Sequence, residues 1–257
     1  EGHLTIGGCD TLELAKEFGT PLYVLDETTI RNVCKAYVKS FEKYYHGNGM
    51  PLYASKALSC KELCRIAKEE GLGLDVVSGG EIYTAVQAGF PMEKVHFHGN
   101  NKTADEIRFA LESNVGKFVV DNLYELELLN EICGEVGKKA NISFRIKPGV
   151  DAHTFIRTGQ IDSKFGFALE TGEAFEAVKK AQMYDNVNLT ELHCHIGSQI
   201  FDIDPFVTAA EIMLDFMGKI HDELGIVISE LNLGGGFGIM YTKDDEPVPY
   251  ENYMEKV

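Results

Sequence analysis

Ile228-Ser229-Glu230-Leu231-Asn232-Leu233, followed at once by Gly234-Gly235-Gly236-Phe237-Gly238, is the stretch on which the reading of this chain turns. The first six residues read as a strand. The glycines behind them carry no Cβ, so successive backbone N–H groups can turn toward one oxyanion and approach it closely. A strand that delivers such a loop is suited to holding phosphate, whereas an isolated glycine run is a flexible turn. What precedes the loop decides between the two.

Upstream, short β-rich runs alternate with amphipathic helices, the signature of a parallel α/β sheet or barrel. The candidate strands are Met50 to Ala54, Gly73 to Val77, Val95 to His98, Phe118 to Asp121, Ile142 to Ile146, Leu189 to His195 and Ile228 to Leu233. Helix starts are signalled by Ser59-x-x-Glu62, Ser78-x-x-Glu81, Thr103-x-x-Glu106 and Asp204 with Pro205 at the first helical position. Gly71, Gly89 and Gly225 mark helix ends. Apolar residues at three- and four-residue spacing from Ile30 to Phe41 predict a helix from Asp26 to about Tyr45, preceded by a shorter one from Asp10 to Phe18. Pro21 to Leu25 reads as a further strand outside the repeat. A (β/α) barrel closes with eight strands, so seven, with the glycine loop last, predict a barrel lacking its eighth.

Composition narrows the function classes. At 257 residues, 44% hydrophobic, the chain can bury a substantial core, and its net charge of -16 argues against a phosphate-neutralising nucleic-acid surface. No apolar run approaches the roughly 20 residues a membrane helix needs, and no signal pattern opens the chain, so a cytoplasmic protein is expected. Cys9, Cys34, Cys60, Cys64, Cys133 and Cys194 lack the spacing of a metal ribbon or disulfide scaffold and read as reduced thiols, mostly buried. Asp244-Asp245-Glu246 reads as a solvated loop.

In such barrels reactive groups sit at the C-terminal ends of strands, with phosphate held after the seventh and eighth. That rule selects Lys56, Asp75 to Ser78, Arg145 to Lys147 and His195 to Gln199. Lys56, aimed into the barrel mouth, would be a desolvated amine suited to forming an imine with an aldehyde; alternatively it is a solvated strand-end lysine. His193 and His195 share one strand face and suit either metal ligation, with His96 and His98 as further donors, or stacking on a planar cofactor. Asp75 and Arg145 could bond a polar ring or pair with each other. Ser198 suits a phosphate oxygen. Pro148 to about Glu170, with Asp151, His153, Arg157 and Lys164, is long for a βα connection and reads as a substrate-facing loop or an irregular covering.

Tyr53-Ala54-Ser55-Lys56, Asp75-Val76-Val77-Ser78-Gly79-Gly80-Glu81, His193-Cys194-His195-Ile196-Gly197-Ser198-Gln199 and Gly234-Gly235-Gly236-Phe237-Gly238 together resemble, in order, the motifs of the fold-type III pyridoxal-phosphate decarboxylases. Ser163-Lys164-Phe165-Gly166 and Gln199 resemble the diaminopimelate branch more than the ornithine or arginine branches. The resemblance implies an alanine racemase-like (β/α)8 barrel binding pyridoxal 5'-phosphate, with decarboxylation of meso-2,6-diaminopimelate to L-lysine as the expected reaction. It implies that Lys56 holds the cofactor covalently and that His195 stacks on its ring. Ser198, Gly234, Gly235 and Gly236 would bind the phosphate, Arg145 would lie near the ring hydroxyl, and Asp75 would line the pocket. Lys56 and His195 are the expected catalytic pair, with no metal.

The family's eighth-strand Glu-Pro-Gly-Arg segment and its C-terminal β-domain do not occur in these residues. Residues 1–25 are therefore expected to join that further domain, with 26–257 forming an incomplete barrel that is inactive alone and homodimeric when whole. Another basic amino acid (carboxynorspermidine, arginine or ornithine) as substrate, a metal-dependent barrel hydrolase, and a cofactor-carrying barrel without turnover are the competing expectations.

Overall fold

The computed structural model describes residues 2–152, 156–157 (backbone only), 159 and 163–257. Seven parallel strands pair in sequence order: β1 (Leu52–Ala54), β2 (Gly73–Val76), β3 (Val95–Phe97), β4 (Lys117–Val120), β5 (Ala140–Lys147), β6 (Val187–Cys194) and β7 (Glu230–Asn232). Each predicted strand of the repeat is present. Around them run α1 (Thr11–Phe18), α2 (Glu27–Tyr45), α3 (Lys61–Glu69), α4 (Gly79–Gln87), α5 (Ala104–Glu112), α6 (Leu123–Val136), α7 (Glu173–Ala181), α8 (Asp204–Leu224) and α9 (Tyr250–Lys256).

Strand alternation divides the sheet into two chemically different faces. Leu74, Val76, Phe97, Phe118, Val120, Ile142, Phe144, Ile146 and Leu192 point outward and are almost fully buried beneath the helices. Each such side chain contributes about 1.5–3 kcal/mol of transfer free energy. The opposite face carries Asp75, His96, His98, Lys117, Ser143, Arg145, Glu191, His193 and His195. On this face side chains meet across strands that are not neighbours: Lys117 of β4 lies 3.0 Å from Glu191 of β6, and the rings of His98 and His193 lie 4.8 Å apart. Such contacts require the sheet to curl, giving a part-barrel of seven parallel strands with a polar interior, whose edges among the described residues are β1 and β7.

The rim is stitched by glutamates at the third position of successive helices. Glu81 accepts from Val77 N (2.8 Å) and Ser55 Oγ (2.6 Å). Glu106 accepts from Gly79 N and Thr103 N, completing a full capping box with Thr103. Glu125 accepts from Asp121 N and from the buried Lys102 ammonium at 2.7 Å. Each carboxylate thus ties its helix to the loop of the βα unit before it.

Local expectations failed in three places. Ser59 does not cap α3, which starts one residue later behind Cys60 with no side-chain cap bond. Asp204 is the first residue of α8 and not its cap, so Pro205 takes the second helical position, where a missing N–H is equally harmless. Pro21 to Leu25 is no strand: among the described residues nothing pairs with it, and Tyr23 is 99% exposed. Its apolar side chains predicted a strand, but a strand needs a partner for its backbone groups. The stretch from Pro148 to Glu170 is also less irregular than expected: Ile156–Arg157 pairs antiparallel with Gly197–Ser198, and Phe167–Ala168 adds to the end of β5.

All six cysteines are free, with Cys64, Cys133 and Cys194 buried, Cys34 and Cys60 partly so and Cys9 exposed. Asp245 closes a local turn by accepting from Tyr241 N and Thr242 N. No helix among the described residues is long and apolar enough to cross a membrane.

Candidate active site

The barrel mouth collects the residues that end the strands. Lys56 lies in a single 3-10 turn (Ser55–Ala57) directly after β1. Ser55 fixes that turn, its hydroxyl lying 2.8 Å from the Asp75 carbonyl and 2.6 Å from Glu81 Oε2. Lys56 itself is exposed, so the desolvation expected of it is not supplied by the described residues. It does reach the site electrostatically: its charge acts on both Asp75 and His195.

Asp75 is about a quarter exposed and faces His98 Nε2 at 3.2 Å. Burial pushes its carboxyl up, but the charge and hydrogen bonding of His98, with the charges of His96 and Lys56, outweigh it and hold the carboxyl below the usual aspartate range. No Asp75–Arg145 ion pair occurs among the described residues. Arg145 instead lays its guanidinium over the Phe165 ring, 4.2 Å from the centroid, and burial lowers it from the ordinary arginine value. Lys147, next inward-facing residue on β5, bonds the Ser163 carbonyl.

His195 ends the β6 histidine pair. Burial, followed by the charges of Arg145, Lys56 and His98, pulls it down to about 4, so at neutral pH it is a flat, uncharged imidazole. His193, deeper and 3% exposed, is driven well below its ordinary value by the same burial. Both histidines are disfavoured as cations in the fold and free to protonate when unfolded. Their folded values lie below the unfolded one, so stability is fully present above about pH 6.5 and declines as pH falls toward 4. In cofactor-free full-length protein, chemical denaturation at a series of pH values is expected to show that decline, and His195→Gln to make it shallower.

The glycine loop leaves β7 and packs against the end of β6. A Cβ on Gly236 would sit 2.0 Å from the Gly197 carbonyl oxygen and 3.3 Å from His195 Cε1, and one on Gly234 2.6 Å from the Cys194 carbonyl oxygen. Both residues have positive φ. The loop is locked to the strand-six turn by Ile200 N to Gly236 O and Gly238 N to Ile200 O, and by the paired amide bonds of Gln199 with the Ile239 backbone. Gly234 N is already taken by Asn232 Oδ1 at 2.8 Å. Among the described residues no acceptor takes the N–H groups of Gly235, Gly236 or Phe237. Ser198 lies beside them on the same turn.

His195 therefore lies within electrostatic reach of Lys56 and Arg145 and against the glycine loop, whose Gly235, Gly236 and Phe237 amides have no acceptor among the described residues. The model of the family described as "Pyridoxal-dependent decarboxylase, pyridoxal binding domain" matches residues 27–257. The chain belongs to this family. Diaminopimelate decarboxylase of Bacillus subtilis is 51% identical over 261 residues, a span that covers all of this chain and 58% of that protein, and the Bacillus methanolicus enzyme of the same name is 49% identical over 100% of this chain and 60% of its own length. A crystal structure of diaminopimelate decarboxylase from M. jannaschii in complex with L-lysine superimposes with a TM-score of 0.92 at 40% identity, covering all of this chain and 60% of that one. The chain thus spans about 58% of the length of the first of these relatives.

The residues present fit the family's pyridoxal 5'-phosphate. The close approach at Gly236 leaves no room for a side chain beside His195, the neighbouring amides of Gly235, Gly236 and Phe237 have no acceptor among the described residues, and the Lys56 amine acts on His195 from the end of β1. For the metal alternative, no three His, Cys, Asp or Glu side chains among the described residues form a group that could hold an ion, and His98 meets His193 edge to face at 85°. His153 lies outside the described residues, as does the side chain of Arg157. Sequence reasoning passed over three contributors: Asn232, Phe165 and the pairing of His98 with Asp75. For the last, the two-residue period puts His96 and His98 on one strand face, but only the register of neighbouring strands sets Asp75 beside them.

Proposed function

We propose that the whole protein, of which this chain is the pyridoxal-phosphate-binding barrel, decarboxylates meso-2,6-diaminopimelate to L-lysine and carbon dioxide. The observation that carries the reading is His195 packed against the glycine loop and within electrostatic reach of Lys56, in a chain 51% identical to a diaminopimelate decarboxylase. Bound pyridoxal phosphate supplies the electron sink that lets an amino acid's α-carboxylate leave as carbon dioxide.

The chain's own residues then have distinct tasks. Lys56 would hold the cofactor through its aldehyde carbon. His195, uncharged, offers a flat surface for the ring without adding positive charge. The Gly235, Gly236 and Phe237 amides and the Ser198 hydroxyl grip the phosphate, while Gly234 serves by letting the chain turn. Arg145, held in place by Phe165, stands near the ring hydroxyl, and Asp75 lines the pocket beside Lys56.

The reading takes the protein as a cytoplasmic homodimer, with residues 1–25 joining a C-terminal β-domain; the exposed apolar side chains of Leu22, Tyr23 and Leu25 support that junction. Offered meso-diaminopimelate, ornithine, arginine and carboxynorspermidine in turn, the purified full-length protein is expected to release carbon dioxide from the first at least about 100-fold faster than from the others, as a site built for a second charged carboxylate should. Preference for any other substrate, or release from none, overturns the assignment.

A further inference from the structure

We infer that Tyr253 of α9 is a positioning residue that keeps the glycine loop in its phosphate-gripping shape, acting through the Ile200 carbonyl and the Phe237 ring. This rests on the reading above, in which the amides of Gly235, Gly236 and Phe237 take the cofactor phosphate.

A helix as short as α9, seven residues with no side-chain cap, is stable only through what it packs against. Tyr250 and Tyr253, three residues apart, share one of its faces. Tyr250 stacks on Tyr37 of α2 with ring centroids 3.9 Å apart, and Glu251 accepts from Lys43 Nζ and, at 3.1 Å, from Tyr44 Oη. The short helix is thereby fastened to the 19-residue α2. Both tyrosine rings also meet Phe237 of the glycine loop, at centroid distances of 5.0 Å for Tyr250 and 4.7 Å for Tyr253, and Phe206 of α8 stacks on it at 4.9 Å. A phenylalanine set among these rings cannot turn without displacing one of them.

The backbone of Phe237 is bracketed by a single residue. Ile200 N donates to the Gly236 carbonyl at 2.9 Å, and Gly238 N donates to the Ile200 carbonyl at 2.8 Å. Tyr253 joins that bracket to α9: its side chain is fully enclosed, at 1% exposure, and its hydroxyl donates to the same Ile200 carbonyl at 3.1 Å. A carbonyl oxygen has two lone pairs, so it can serve both donors at once. Without the hydroxyl the rings still pack, but Ile200 is no longer tied to the helix. A shift of Ile200 moves Gly236 and Gly238 together, and with them the amides of Gly236 and Phe237.

The test is spectroscopic titration of cofactor-free full-length protein with pyridoxal 5'-phosphate and, in parallel, with pyridoxal, which lacks the phosphate. Tyr253→Phe is expected to weaken pyridoxal phosphate binding about five- to tenfold and to leave pyridoxal binding within about twofold of the parent. Ile132→Val, a truncation in the buried face of α6, controls for general loosening and is expected to leave the ratio of the two affinities within about twofold of the parent. In a Gly236→Ala background, where the loop is already displaced, Tyr253→Phe is expected to add less than about twofold. Should Tyr253→Phe fail to fold, Tyr250→Leu, which withdraws the other α9 ring from Phe237, takes its place with the same selective loss expected. Equal weakening of both ligands, unchanged pyridoxal phosphate affinity, or a full further loss in the Gly236→Ala background overturns the inference and leaves the phosphate site standing. A parent protein that binds pyridoxal phosphate no better than pyridoxal overturns the phosphate site itself, and this inference with it.

Discussion

Lys56→Ala is expected to abolish the absorbance of the imine between pyridoxal phosphate and the full-length protein and to cut carbon dioxide release by at least about a thousandfold. The side chain is exposed in the described chain, so its removal leaves no cavity and should cost little stability. Loss of function without loss of fold is therefore the expected pattern. In the proposed reading the phosphate is gripped by the amides of Gly235, Gly236 and Phe237 and not by Lys56, so the variant should still bind the cofactor, only without the covalent attachment. Dialysis separates the two: cofactor should wash out of Lys56→Ala and stay in the parent. An imine band that survives the substitution would mean that another amine does this work, and the reading of the barrel mouth would fall with it.

The expected pattern depends on features that differ in how far the sequence discloses them. The seven strands were legible because each is short, bounded by caps and turns, and separated by helices with one apolar face. The glycine loop was legible because Gly236 stands where any Cβ would collide with backbone. What the loop does in detail was not legible: the Gly234 amide is consumed by Asn232, a local bond set by the turn, and the amides without an acceptor among the described residues are those of Gly235, Gly236 and Phe237. The exposure of Lys56 also escaped the sequence, since a strand-end position fixes direction but not what covers it. Pro21 to Leu25 failed for a related reason, because propensity marks a strand while only a partner makes one. The Asp75–His98 contact joins neighbouring strands through register, and its continuation to His193 crosses the barrel; neither is a spacing that a linear reading can measure.

Gly236→Ala is the second large effect, and its contrast with Gly235→Ala isolates the cause. At residue 236 an added methyl would lie 2.0 Å from the Gly197 carbonyl oxygen, with φ at +100°. That oxygen cannot retreat freely, because Gly197 is paired with Arg157 in the short antiparallel ladder. The loop must therefore move, at a cost of about 2–4 kcal/mol, measured as a drop in denaturation free energy of the cofactor-free protein. Movement also pulls the amides of Gly236 and Phe237 off the phosphate. Losing two charge-assisted hydrogen bonds should weaken pyridoxal phosphate binding about 100-fold, read by spectroscopic titration. Residue 235 has open space around its Cβ position and no positive φ, so Gly235→Ala should leave stability within about 0.5 kcal/mol of the parent. If both substitutions leave stability and cofactor affinity alike, the loop is not held against the end of β6, and the steric argument for a phosphate cradle fails at its base.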